Sequence, residues 1–235
     1  MRSRRQILAG AAAVMAFAAL GCKPAQAPPE VKGDDGEDDV APTEDLMREH
    51  GLIDRVMLVY DECARRIESN LDVPPEVLPA STRIVHAFVH DYHEKTEEDH
   101  VFPKCEASLV HTDLVRVLRD QHAVGRKITA FIEANAGSAA STKKDDRKKL
   151  VAALRSFGHM YRPHVAREDT VLFPAFRDLY RPAEFDALGA QFEAREKELF
   201  GDKGFERKVT EVGEIEASLG IADLSRATPA DFTRP

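Results

Sequence analysis

The chain has 235 residues, 43% of them hydrophobic and 31% charged, with a formal net charge of -8 at pH 7. That length supports one substantial core, and an acidic balance spread without a basic stripe counts against nucleic acid as a partner. Three cysteines are few for an exported protein held by disulfides.

The first five residues, MRSRR, form a basic start. Ile7 to Gly21 is an apolar run, and Cys22 follows Ala19-Leu20-Gly21. The run is too short to span a bilayer and has the flanks of an export signal over 1–22. Ser3-Arg4-Arg5-Gln6-Ile7-Leu8 resembles a twin-arginine signal, the kind recognised by an exporter of folded proteins. Leu20-Gly21-Cys22 resembles a bacterial lipobox, although position 19 is alanine rather than leucine. The resemblance implies lipidation of Cys22 and a protein anchored to a membrane of the bacterial cell envelope. A cleaved secretory signal with an incidental cysteine is the alternative. Residues 23–42 carry Pro24, Pro28, Pro29 and Pro42 and the acidic run Asp34 to Asp39. With almost nothing to bury, they read as a disordered tether.

From 43 the pattern turns helical. Thr43 followed by Glu44 and Asp45 signals a helix start, and Leu46, His50, Ile53, Met57, Tyr60, Ala64, Ile67 and Leu71 form one apolar stripe around a histidine. A second helix starts at Pro74 or Pro79 and presents His86, Val89, His93 and Glu97. A third presents Val115, Leu118, His122, Gly125, Thr129 and Ile132. The fourth, capped by Thr142, presents Leu150, Leu154, Phe157, Tyr161, His164, Glu168 and Val171. A fifth runs from Arg181 to about Phe200, Gly201 to Gly204 breaks it, and a sixth follows over Phe205 to Leu219. The bundle is assigned to 43–200 and a C-terminal helical extension with packing or lid roles to 201–235. The basic run from Lys143 to Lys149 reads as a solvated helix start, and Cys63 and Cys105 as buried small residues at opposite ends of the bundle.

His93 precedes Glu97 by four residues, as His164 precedes Glu168, so each pair shares one helix face. Each glutamate is followed at the same distance by Phe-Pro (Phe102-Pro103, Phe173-Pro174), and the REHGLIDR segment around His50 matches RDQHAVGR around His122. The chain therefore contains a duplicated helical hairpin, predicting an all-α, up-down-up-down four-helix bundle with His50, His93, His122 and His164 at one level. The order His, HisxxxGlu, His, HisxxxGlu resembles the hemerythrin-like family of HHE cation-binding domains, four-helix bundles that hold a non-haem di-iron centre. The resemblance covers roughly 43–200.

Four imidazoles and two carboxylates suit two borderline first-row ions better than one zinc, which needs only four ligands. Two iron ions, each with two histidines and both Glu97 and Glu168 bridging, leave room for a bridging oxide or hydroxide and for an open position. The duplication predicts two nearly equivalent irons. His90 and Tyr161 occupy equivalent positions one turn from the ions, either to hydrogen-bond a ligand or as satisfied core groups. Gly125 gives space either for a diatomic ligand or for close helix contact, and Glu94 adjoins His93 but points about 100° away on the helix, which makes a spare-ligand role the lesser reading. His86, His100, His111 and His159 have no counterpart at this level and read as structural or surface residues. Oxygen, nitric oxide or peroxide is the expected small ligand. Gas binding or sensing, redox consumption and iron holding remain the three competing functions.

Overall fold

Pro42, whose fixed φ suits a first helical turn, opens helix α1, Pro42–Glu68. The start lies one residue before the expected cap. Ala41 holds the N-cap position with no side-chain hydrogen bond, and Thr43 is buried inside the helix. The computed structural model describes residues 40–229. The export signal over 1–22, Cys22 and nearly all of the expected tether lie outside the described residues. Among those residues there is no strand, and no helix is long and apolar enough to cross a membrane.

Helix α2 spans 77–107. It is α-helical over Val77–Ile84, π-helical over Val85–His93, briefly α-helical at Glu94–Thr96, π-helical over Glu97–Val101, and α-helical again over Phe102–Ala107. It starts at neither proline named from the sequence. Pro79 falls in the first turn, where a missing N–H costs nothing. Helix α3 is Thr112–Ala134. Helix α4 spans 144–177, with a π-helical turn at Glu168–Leu172 between Lys144–Arg167 and Phe173–Arg177. Thr142 does not cap it, because Lys143 occupies the N-cap. Helices α5, Pro182–Phe200, and α6, Gly204–Leu219, follow.

The π-helical turns at Glu97 and Glu168 have a common cause. Pro103 and Pro174 cannot donate a backbone hydrogen bond, and in an α-helix their rings would strike the carbonyls of Asp99 and Thr170 four residues back. A widened turn at that place relieves both problems. It also moves the inward face by one residue, so that after Glu168 the buried residue is Leu172, not Val171. The sequence stripe of α1 is likewise shortened, since the helix ends before Leu71, which is 51% exposed. The π-helical stretch 85–93 turns His86 outward, where its side chain is 40% exposed and pairs with Glu133 at 3.1 Å.

Helix α1 packs on α2 and α4, and α3 packs on the same two, which closes the four-helix bundle. The apolar interior is divided in two. One cluster contains Val56, Tyr60, Phe88 and Phe157 and is completed by Val212, Ile215 and Leu219 of α6. The other contains Leu46, Phe102, Leu118, Phe173 and Phe176, completed by Phe185, Leu188 and Phe192 of α5. Along each bundle helix the candidate ligands stand between residues of one cluster and residues of the other: Leu46, His50, Ile53 on α1, and Tyr161, His164, Glu168, Leu172 on α4. Cys63 and Cys105 are both free and buried, one in each cluster.

Helix α6 is fastened to α1 by Arg55, which donates to both oxygens of Glu216 at 3.0 and 2.7 Å, and by the Leu219 side chain, 2% exposed. Truncation of such a leucine removes buried area and leaves a cavity. Leu219→Ala is therefore expected to cost about 2–5 kcal/mol in denaturant unfolding, within a single cooperative transition. An early separate transition in the variant would mean that α6 is not part of the bundle's cooperative core.

Candidate metal centre

All six residues singled out by the His and HisxxxGlu pattern converge in the polar layer: His50 from α1, His93 and Glu97 from α2, His122 from α3, and His164 and Glu168 from α4. Each is at most 3% exposed. Glu97 Oε2 lies 3.8 Å from His93 Nε2 and 3.4 Å from His122 Nε2. Glu168 Oε2 lies 3.4 Å from His50 Nε2 and 3.1 Å from His164 Nε2. Across the layer, His122 Nε2 and His164 Nε2 are 3.3 Å apart, and the His50 and His93 rings meet edge to face at 4.8 Å. Two groupings emerge that could each hold a cation, His50 with His93 and Glu97, and His122 with His164, Glu97 and Glu168. The carboxylates stand between them.

Behind every imidazole is an acceptor. His50 Nδ1 meets Asp169 at 2.7 Å, His93 Nδ1 meets Glu49 at 2.6 Å, His122 Nδ1 meets Glu98 at 3.1 Å, and His164 Nδ1 meets Gln121 at 2.9 Å. An Nδ1 that faces an acceptor carries the hydrogen, so in each neutral ring Nε2 is the bare lone pair and points into the layer. This is the arrangement that orients ligating histidines and raises their basicity. The sequence pattern did not single out these four partners. The duplication contained them, because Glu49-His50 matches Gln121-His122 and Glu97-Glu98 matches Glu168-Asp169 at the same offsets. The Phe-Pro pairs also gain a role at this level. Phe173 stacks on His50 at 5.5 Å and Phe102 on His122 at 5.3 Å, each closing the layer from the same side.

Neither oxygen of Glu97 and neither of Glu168 accepts a hydrogen bond, and His50 Nε2 has no partner. Buried acceptors facing buried acceptors are costly unless a positive charge lies among them. The ionisations express the same demand. Burial alone would lower the His50 imidazole, but the bond to Asp169 and the Glu168 carboxylate 3.4 Å away overcome it and push it up to about 10. Burial is likewise outweighed at His122 by Glu97 and Glu98, which push it up to about 10. Burial pushes His93 down to about 4 and Glu49 up to about 8. Glu168 is held below the usual carboxylate range, against its burial, by His164 and His50.

A second buried polar group adjoins the layer on one side only. Glu94 accepts from the Tyr161 hydroxyl, lies 3.0 Å from His90 Nδ1, and pairs with Arg126 at 2.9 Å. His90 Nε2 meets the Thr129 hydroxyl at 2.9 Å. His90 and Tyr161 are thus turned to Glu94 rather than into the layer. Gly125 gives close contact, since a Cβ there would stand 2.2 Å from the Tyr161 hydroxyl oxygen. That hydroxyl fills the space the sequence left open for a diatomic ligand. Glu94, Glu98 and His122 come close enough to suggest another cation position. The Arg126 guanidinium already fills it, 2.9 and 2.7 Å from the two glutamates.

A family model described as the hemerythrin HHE cation binding domain matches residues 41–176. Uncharacterized proteins of Mycobacterium bovis and of two strains of Mycobacterium tuberculosis are 40% identical to the chain over 228 residues, covering 96% of this chain and 89% of theirs. No solved structure matches it.

Groups whose values are raised hold their protons at neutral pH, and a cation entering the layer competes with them. In ion-free protein at pH 7, His50, His122 and Glu49 are protonated, with values of about 10, 10 and 8. Loading with a divalent ion is expected to release as many as three protons per chain, one from each of these groups. An indicator dye in weak buffer reads them directly. Release should shrink as the starting pH is raised toward 10. Ion uptake without proton release at pH 7 would contradict this electrostatic reading.

Proposed function

The chain belongs to the hemerythrin family of HHE cation-binding domains, and on that premise we propose that it holds two iron ions in the polar layer and handles a small diatomic ligand or oxidant, namely oxygen, nitric oxide or peroxide. The observation that carries this reading is the set of four glutamate oxygens, buried without a hydrogen-bond partner and faced by the Nε2 atoms of four imidazoles. His50 and His93 would hold one ion and His122 and His164 the other, with the Glu97 and Glu168 carboxylates standing between the two pairs. Six ligands at one level are more than a single zinc needs, and nitrogen and oxygen donors without a thiolate suit ferrous iron better than a soft ion.

The bound irons would supply electrons and open coordination positions for such a ligand. The chain's own residues do the rest. Asp169, Glu49, Glu98 and Gln121 fix each imidazole with its Nε2 inward, and Phe102 and Phe173 cover the layer. The two apolar clusters exclude bulk water, and exposure of at most 3% at every ligand restricts access to molecules of a few atoms. No further imidazole is free to ligate. His90 is turned away from the layer, with Nε2 meeting the Thr129 hydroxyl at 2.9 Å and Nδ1 3.0 Å from Glu94. Four histidines shared evenly between two irons favour oxidation at the site over reversible carriage.

Anaerobic reconstitution with ferrous iron, with metal counted per chain and absorption followed on adding air, peroxide and nitric oxide, tests the reading. The expected outcome is two irons per chain and rapid, irreversible oxidation in air. His93→Ala or His164→Ala should lose at least one iron and lower the thermal stability. One iron per chain, unchanged in both variants, would overturn the di-iron assignment. An oxygenated spectrum that reverses when oxygen is removed would move the function to oxygen binding, and iron that leaves readily without reacting would move it to iron holding.

We further propose that the chain works at the bacterial cell envelope, exported folded by the twin-arginine route and anchored through a lipidated Cys22. The support is the sequence Ser3 to Leu8 followed by the apolar run and Leu20-Gly21-Cys22. A cofactor that needs reduced iron and a folded cage gains from assembly before export. Replacing Arg4 and Arg5 by lysine should leave the precursor in the cytoplasm, and normal arrival of that variant at the envelope would refute the route.

A further inference from the structure

Helix α3 carries a second apolar stripe, one residue out of step with the buried one. Leu114, Val117, Gln121, Val124, Ile128 and Phe131 alternate steps of three and four, the spacing of a coiled-coil seam. Leu114 and Ile128 are half-buried against the two apolar clusters, whereas Val117, Val124 and Phe131 are 42, 43 and 38% exposed. A single exposed apolar side chain is ordinary, but a continuous row marks a surface that something covers. The other large apolar side chains exposed among the described residues stand alone, on α1, on α5 or outside the six helices. The rest of this face of α3 is small, since Ala123, Ala130 and Ala134 are exposed, so a partner helix can approach closely.

The charges beside the stripe indicate what covers it. Asp120 and Lys127 flank the seam on its solvent side, one heptad apart, and neither has an ion-pair partner among the described residues. They stand symmetrically about Ala123 and Val124, in the middle of the seam. A second α3 laid antiparallel about a two-fold axis at that point sets each Asp120 beside the other copy's Lys127. The same pairing sets Leu114 opposite Phe131, Val117 opposite Ile128 and Gln121 opposite Val124. A parallel copy would instead bring like charges to the same level. We propose that the outward face of α3 is a self-complementary docking surface on which a second copy of this chain binds antiparallel. The seam, about 26 Å long at 1.5 Å per residue, is a small contact beside the roughly 800 Å² per partner of a standard interface, so the dimer is weak and reversible. Pairing also covers Gln121, whose side-chain oxygen meets His164 Nδ1 at 2.9 Å, and so shields the outer partner of one candidate ligand from water. The docking surface is independent of which ion the polar layer holds.

Sedimentation velocity of the full chain over a wide range of concentrations tests the proposal. The wild type should shift from monomer to dimer as concentration rises, and Val124→Glu, at an exposed position, should stay a monomer throughout. Asp120→Lys and Lys127→Asp should each weaken the dimer by about 10-fold, because each turns two attractions into two repulsions. The double exchange of Asp120→Lys with Lys127→Asp should restore the wild-type strength, which a generally adhesive face would not do. Circular dichroism establishes that each variant is folded. A wild type that is monomeric at every concentration, a Val124→Glu dimer as strong as the wild type, or a double exchange no stronger than the single variants would overturn the proposal. A monomer that binds neutral lipid vesicles, and loses them in Val124→Glu, would assign the face to a membrane instead.

Discussion

The structure turns on a concentration of unpaired acceptors in a place where water cannot reach them. Two carboxylates and the inward nitrogens of four imidazoles face one another between two apolar clusters, and none of the four carboxylate oxygens has a hydrogen-bond partner. Leaving an ionised carboxylate alone in a protein interior costs several kcal/mol even after relaxation. A fold that keeps two of them side by side is built around positive charge, supplied either by protons on His50 and His122 or by cations.

Much of the surrounding architecture follows from that constraint. The layer interrupts the core, so each bundle helix must contribute apolar residues above and below it, and α5 and α6 close the two clusters separately. The glutamates also need a particular backbone. Proline six residues after each one is accommodated by a π-helical turn that begins at the glutamate itself, and the phenylalanine before that proline is brought onto the histidine of the neighbouring helix. One short motif thus supplies a candidate ligand, shapes its turn and covers a second candidate.

The inward residues were legible in the sequence because a four-residue spacing, repeated twice at a fixed offset, has few explanations other than a shared level in a bundle. The connections and the two added helices could be read from proline, glycine and apolar periodicity. What escaped was whatever depends on departures from α-helical geometry or on a neighbouring helix. Leu172 replaces Val171 because a π turn adds a residue. Glu49, Glu98, Gln121 and Asp169 each adjoin a candidate ligand in the chain and point about 100° away from it, so on a single helix they look like solvated surface residues. They reach the outer nitrogens of histidines on other helices instead. The same holds for Glu94: only the packed structure shows Tyr161, His90 and Arg126 gathered around it, and only the Tyr161 hydroxyl explains a glycine in the middle of α3.

The central claim is that the polar layer is a two-cation site. Anomalous diffraction from crystals of the iron-loaded protein, recorded on both sides of the iron absorption edge, tests it most directly. Two iron peaks per chain are expected, one beside His50 and His93 and one beside His122 and His164, with Glu97 and Glu168 between them. A single peak in the layer, or iron bound instead at the acidic cluster of Asp45, Glu49 and Glu196, would contradict it.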